Sequence, residues 1–347
     1  MLLENLPFEL PIQTVHVVFG LILGLVFGIA AQISKFCLRR AVAGDEGNDR
    51  SAASVWLIAL ATATGVFAIA KNFGWVALDD HRLLATSIPV LAIIVGGLAF
   101  GVGMVLTRGC MSRLTVLSAT GNLRALTVIL VFAVVAHATI KGVLAPVRVA
   151  LGSVQQDFGI ASLAALPGAA PAIALALLIA AIVLARRSHT SVTHVTLGAV
   201  IGLVAVVGWA GTSVLLMDEF DPLPVQSAAF TLPWADTLFW TIASTAIPAG
   251  FGTGLLGGVL LGSFLSAFVR KEVQLKSFET PQQTLRYTLG GSLMGVGGVL
   301  AGGCTIGAGL SGGATLSIAA LFALAAIISG AAAAQALLNP RGSAVTA

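Results

Sequence analysis

The chain has 347 residues, 57% hydrophobic and only 9% charged, with 18 Lys and Arg against 14 Asp and Glu and a formal net charge of +4. Soluble domains carry about a quarter charged residues, so this stock cannot clothe a water-facing surface, and a mean hydropathy of +1.01 excludes a soluble globular enzyme. The basic balance sits in no tract with interleaved aromatics, which argues against a nucleic-acid partner.

Nine hydrophobic spans follow along the chain, near 14–34, 53–71, 86–107, 123–145, 170–186, 193–215, 237–269, 284–303 and 314–337. A bilayer core takes roughly 20 apolar residues. The N-terminal stretch has no basic segment and no small-residue cleavage site, so no removable signal peptide is expected. The first span runs into "SKFCLRR" around Cys37, and the third into "TRGCMSR" around Cys110. The seventh is too long for one straight helix. "TAIPAGFGTGLLGG" inside it predicts a break or re-entrant element, because Pro and clustered Gly interrupt helices. The eighth runs into "AGGCTIG" around Cys304.

The charges orient these spans. With the N-terminus outside, Lys35, Arg39, Arg40, Arg50, Arg108, Arg113, Arg124, Arg186, Arg187, Arg270, Lys271, Lys276, Arg286 and Arg341 all fall inside, which is 14 of the 18 basic residues. Lys71, Arg82, Lys141 and Arg148 stay outside with Asp79, Asp80, Asp218, Glu219, Asp221 and Asp236. The positive-inside rule then predicts a periplasmic N-terminus and a cytoplasmic C-terminus.

Residues 96–110 and 290–304 align at a constant offset of 194, with nine identities in fifteen positions. They are Gly96, Gly97, Gly101, Val102, Gly103, Val105, Leu106, Gly109 and Cys110 against Gly290, Gly291, Gly295, Val296, Gly297, Val299, Leu300, Gly303 and Cys304. Small residues recur in membrane helices for packing reasons alone, but an ungapped match that ends on a rare cysteine points to duplication. One copy lies on a span running inward and the other on a span running outward, so the repeat is inverted. The fold expected is therefore an all-α polytopic membrane protein, a single transmembrane domain over 1–347. It has about nine transmembrane helices plus short broken or re-entrant helices, and repeat halves of approximately 14–150 and 190–337.

Such folds place substrate near the midplane, at broken helices whose free N–H groups face an anion. "MSRLTVLSATGN" after Cys110 and "TIGAGLSGGAT" after Cys304 fit breaks of that kind, or ordinary surface turns. The candidate substrate-binding set is Cys37, Cys110, Cys304, Gly109, Gly303, Met111 and Thr305. Cys37 has no obvious repeat partner: its counterpart is expected near 264–271, where no cysteine stands. Three cysteines without a C-x-x-C fit neither a disulfide framework nor a zinc site, so they read as free thiols, and no metal or cofactor is expected. Singly, each also fits a small buried hydrophobe.

A thiol is a weak donor and a soft acceptor, which suits a sulfur-bearing anion better than a hard one. Weak contacts spaced along a path also let an ion move on. The reactive alternative is a thiolate that attacks sulfur compounds and carries persulfide, for which Arg108 and Arg113 beside Cys110 are suggestive. No Asp or Glu lies deep in a span, where proton-coupled pumps commonly place acids, and no G-x-x-x-x-G-K-[ST] motif is present for ATP hydrolysis. His137 shares a face with Lys141 and reads as a helix-contact residue rather than a proton relay. His16, His81, His189 and His194 fall near span ends and carry no signal.

"FGIAAQISKFCLRRA", "GLAFGVGMVLTRGCMSR" and "GSLMGVGGVLAGGCTIGAGLSG" resemble the YeeE/YedE family of membrane proteins, whose characterised member takes up thiosulfate. The resemblance covers chain length, number of spans and order of the cysteine motifs. It implies an hourglass-like inverted-repeat fold with nine spanning helices and import of thiosulfate across the inner membrane by successive cysteine contacts. Carried over, Cys304 would meet the ion on the outer side, Cys110 in the middle and Cys37 toward the cytoplasm. It also implies a separate TusA-like cytoplasmic sulfurtransferase as partner, besides membrane lipid. Three alternatives stand beside import without covalent chemistry. One is a membrane thiol sulfurtransferase passing persulfide to a cytoplasmic carrier, another a transporter of a different sulfur or selenium compound, and the third a non-transporting membrane subunit.

Overall fold

The computed structural model describes residues 11–44, 49–78, 81–217 and 223–338. Asp79, Asp80, Asp218, Glu219, Asp221 and Arg341 of the charge count lie outside the described residues. The helices, in chain order, are α1 (Ile12–Ser34), α2 (Leu38–Ala43), α3 (Arg50–Asn72), α4 (Val90–Leu106), α5 (Met111–Ala119), α6 (Leu123–Lys141) and α7 (Ala145–Gly152). They continue as α8 (Ala169–Arg187), α9 (Val192–Ala210), α10 (Thr231–Ile242), α11 (Phe251–Val269), α12 (Pro281–Leu300) and α13 (Ile318–Leu338). Two π-helical segments, Gly211–Leu215 and Thr305–Gly312, extend α9 and follow α12.

Among the described residues nine helical runs are long and apolar enough to cross a membrane. The protein is thus an all-α polytopic membrane protein, as its composition requires. Three runs are the longest, Ile12–Ala43, Val90–Ala119 and Pro281–Gly312, with 32, 30 and 32 residues, and each holds one of the cysteines at an internal break. The break expected in the seventh span is present too. Ile247, Pro248 and Ala249 separate α10 from α11, and only Phe251–Val269 is long and apolar enough to span.

Lipid tails are as apolar as leucine, so membrane helices associate through close backbone approach at small residues. The tightest seam joins α1 to α11. Gly20, Gly24 and Gly28 face the backbones of Phe251, Leu255 and Val259, while Gly254, Gly258 and Gly262 face those of Val17, Leu21 and Leu25. The facing numbers rise together, so these helices run parallel. On α9, Gly198 and Gly202 lie against the carbonyls of Val55 and Ala59 of α3, again in parallel.

The two copies of the sequence repeat pack directly on each other and run antiparallel. A methyl group built on Gly96 would stand 2.8 Å from the Gly297 carbonyl oxygen, and one on Gly103 would stand 2.6 Å from that of Gly290. The sequence offset of 194 converts the first contact into the second, which is how an inverted repeat meets itself. Parallel contacts obey the same exchange. Gly97 and Gly101 of α4 lie on Ala323–Ala331 of α13, as Gly291 and Gly295 of α12 lie on Val128–Val135 of α6. Swapping α1, α3, α4 and α6 for α9, α11, α12 and α13 turns the α1–α11 pair into α9–α3 and the α4–α13 pair into α12–α6, and leaves α4–α12 as itself. This relation pairs α1 with α9, so the counterpart of the Cys37 break falls at Gly211–Leu215 and not near 264–271 as expected from the sequence. Residues 251–269 instead form one continuous helix, the counterpart of α3.

Candidate functional site

Each of the three cysteines stands in a backbone joint of the same kind. The preceding helix ends on a residue in the left-handed conformation, Lys35 at φ 51°, Arg108 at φ 57° or Gly302 at φ 76°. The cysteine follows two positions later, extended, as N-cap of the next helix. At the first two joints a six-to-one hydrogen bond closes the helix end, Phe36 N–H to the Ala31 carbonyl at 3.2 Å and Gly109 N–H to that of Met104 at 3.0 Å. Gly302 suits its position because glycine alone adopts positive φ without steric cost. Gly303 has a different reason: a Cβ there would stand 2.6 Å from the Ala308 nitrogen, so only glycine lets the π-helical turn fold back over the joint.

Cys37 and Cys110 meet. Their sulfurs are 3.7 Å apart and both residues are buried. Ser112 Oγ lies 3.3 Å from the Cys110 sulfur, and either atom serves as donor. Cys304 is separate: its sulfur accepts from the Gly307 N–H at 3.5 Å, and among the described residues no hydrogen bond joins it to the other thiols. Beside it the Thr305 hydroxyl is fully buried and has no hydrogen-bond partner, an open polar valence next to a thiol. Met111 is fully buried and its carbonyl accepts from the Thr115 hydroxyl at 2.9 Å. Gly109 would bring a Cβ within 3.2 Å of the Leu114 side chain only, so it is less constrained than Gly303. The sequence-derived set thus divides into a pair around Cys37 and Cys110 and a single thiol around Cys304.

A cavity of about 960 Å³ opens on the Cys304 side. Gln13 and His16 from the start of α1, and Gly250–Thr253 from the start of α11, line it, and Gly302, Gly303 and Gly307 form part of its floor at the third joint. Cys37 lies past the opposite end of α1, about 30 Å from His16 at 1.5 Å per helical residue. The thiol pair thus lies beyond the end of α1 opposite to the cavity-lining Gln13 and His16.

The vestibule holds groups that the sequence did not single out. Arg82 Nη2 donates to the Gly302 carbonyl at 3.3 Å, and among the described residues no carboxylate pairs with it. Its guanidinium remains accessible, but protein crowding on the other sides lowers its pKa from the ordinary arginine value. Arg148 lines the same cavity while donating to the carbonyls of Thr139 and Ile140 at 3.2 and 3.3 Å, and Asp236 supplies a negative group. The His81 ring packs edge-on against Trp209 and its Nδ1 accepts from the Leu83 N–H. Its pKa falls to about 4, mainly through burial and further through the charge on Arg82, so it is neutral at neutral pH. His16 Nε2 bonds to the Leu216 carbonyl at 3.1 Å. His137 stacks on Phe239 with ring centroids 3.4 Å apart, the helix contact expected from sequence.

At the other end, Gln32 Nε2 donates to Glu272 at 3.0 Å and Arg113 reaches the Gln32 carbonyl oxygen at 3.5 Å. This chain ties α1, α5 and the end of α11 together beyond the thiol pair. Among the described residues no group of three or more His, Cys, Asp or Glu side chains gathers as a metal ion would require.

A family described as sulphur transport matches residues 34–333. The protein belongs to this family, the YeeE/YedE proteins. Relatives include the thiosulfate transporter TsuA of Escherichia coli (strain K12), 26% identical over 325 residues that cover 83% of this chain and 84% of that protein. The thiosulfate transporter TsuA of Spirochaeta thermophila is 27% identical over 307 residues, covering 83% of this chain and 88% of the relative.

Proposed function

We propose that the protein imports thiosulfate, or a closely related sulfur-containing anion, across the inner membrane, with the N-terminus periplasmic and the C-terminus cytoplasmic. The observation that carries this reading is the placement of three thiols at three equivalent helix joints, one under an open vestibule and two in contact at the far end of the same helix bundle. The family and the names of the two relatives supply the cargo class. Arg82 and Arg148 attract the anion, and Cys304 with the Thr305 hydroxyl takes it at the vestibule floor. Gly303 keeps backbone N–H groups within reach there. Cys110 and Cys37, with Met111 and Gly109 around them, receive it next. Soft thiol contacts match the terminal sulfur and N–H groups match the oxygens. Residues 14–150 and 190–337 act as the two halves. A separate TusA-like sulfurtransferase takes the sulfur on the cytoplasmic side, and no cofactor takes part.

Proteoliposomes carrying the full chain should accumulate sulfur-labelled thiosulfate against a protein-free control, with sulfate a poor competitor. Mass spectrometry after turnover should find three unmodified thiols, whereas a lasting persulfide on Cys110 would establish the sulfurtransferase alternative.

Arg82 gives a graded test at the mouth. Arg82→Gln should raise the KM for thiosulfate about tenfold, the size of one charge-assisted hydrogen bond. The limiting rate should change little, because the thiols remain. An unchanged KM and an unchanged salt dependence of uptake would remove Arg82 from the path.

A further inference from the structure

We propose that Cys37 and Cys110 form a reversible disulfide that closes the translocation path, a modification site that the third thiol does not share. The closing effect rests on the transport reading above; the chemistry of the pair does not. The two sulfurs already touch at 3.7 Å with no atom between them in the hydrogen-bonded contact. A disulfide needs about 2.05 Å, so the pair must close by under about 2 Å. Both residues are N-caps at helix joints and not mid-helix positions, so each side chain hangs from extended backbone outside a regular helical turn. Their helices are tied to different parts of the bundle, α2 to α3 and α5 to α6 and α11, so a covalent bond would cross-link two joints held by different neighbours and consume both thiols that the transport reading puts on the path. Cys304 has a backbone N–H as its neighbour and no sulfur, so it lacks a partner for the same reaction.

Hydrogen peroxide, small and uncharged, is the oxidant class that reaches buried thiols by a path open to small solutes. One thiolate attacks the peroxide O–O bond, giving a sulfenic acid and, with a proton, water. The second thiol attacks that sulfur and displaces a second water. In sum, two thiols and one peroxide give one disulfide and two waters; the thiol pair loses two electrons and the peroxide gains them. The Ser112 hydroxyl, 3.3 Å from the Cys110 sulfur, is placed to donate to a thiolate there. A dithiol reductant reverses the bond by exchange.

The test uses the full-length, reduced wild-type protein in proteoliposomes, exposed to hydrogen peroxide, with remaining thiols capped by iodoacetamide. Digestion and mass spectrometry should give a peptide linking Cys37 to Cys110, with Cys304 carrying the cap. Thiosulfate uptake should fall at least about tenfold in step with the cross-link and recover with dithiothreitol. Three capped thiols, a link through Cys304, or separate sulfinic acids without the linked peptide would overturn the proposal. A linked peptide with undiminished uptake would overturn the closing step. If the reduced protein takes up no thiosulfate at all, the transport reading fails, while the peptide map still decides the pairing.

Discussion

Cys110→Ala is expected to lower thiosulfate uptake by about 10- to 100-fold, the range of one to two hydrogen bonds to a charged ligand. Cys110 is the thiol with most at stake: it contacts Cys37 at 3.7 Å and Ser112 at 3.3 Å, and it is the N-cap of α5. Alanine removes the donor and the soft acceptor together and leaves the joint intact, because the backbone turn is made by Arg108 and Gly109. Cys110→Ser keeps a donor but replaces soft sulfur with hard oxygen, so it separates hydrogen bonding from sulfur contact. Serine should restore part of the rate if donation dominates and almost none if the sulfur contact does. Initial uptake rates in proteoliposomes, beside size-exclusion profiles that show folded protein, decide the matter. An alanine variant at the wild-type rate would sink the role of Cys110.

The second large effect is structural. Gly24→Leu should cost several kcal/mol of stability, because overpacking a filled site costs about 1–3 kcal/mol and backbone on both sides cannot move aside like a side chain. A Cβ at Gly24 would overlap the Leu255 carbonyl, and the reciprocal Cβ at Gly258 would overlap that of Leu21. Relief requires the whole α1–α11 seam to open, which would shift the Cys37 joint at the end of α1. Gly257→Leu, on the facing helix α11, is the control, since a Cβ there meets nothing within 4 Å. Melting in detergent should drop sharply for the first variant and hardly at all for the second. Equal melting of the two would show that the seam is looser than its backbone contacts imply.

Much of the fold was legible because membrane insertion writes itself into composition. Long apolar runs, the Pro248 break and the 194-residue offset all appear in the sequence, and the antiparallel contact of Gly96 with Gly297 is where that offset leads. The joints were legible in part, from the Gly-rich runs that lead into Cys110 and Cys304 and the break-like stretches "MSRLTVLSATGN" and "TIGAGLSGGAT" that follow them. What the sequence could not reveal is distance between joints. Nothing local to Cys37 or Cys110 says that their sulfurs touch, since this depends on how α1 and α5 pack together. The vestibule was hidden for a related reason. Arg82 and Arg148 look like ordinary loop and helix-end charges until Gly302 is folded against one and the α6 carbonyls against the other. The counterpart of the Cys37 joint was misplaced at 264–271, because the sequence does not tell that the glycines of α1 and α11 mark a parallel seam between the two helices and not corresponding positions in the halves.

The exchange of partners between the halves also bears on how the chain is made. Each half places its glycine faces against helices of the other: α1 waits for α11, α3 for α9, and α4 for α12 and α13. During synthesis the early helices therefore enter the bilayer with bare stripes of Gly20, Gly24 and Gly28, or of Gly96, Gly97 and Gly101, and with no permanent neighbour for them. A first half produced alone would have only lipid to fill those grooves, so the two halves should become resistant to protease only when both are present. Assembly is then a late event, a closing of two interlocked hands, and the Cys304 joint comes to rest on the first half only after α12 has arrived.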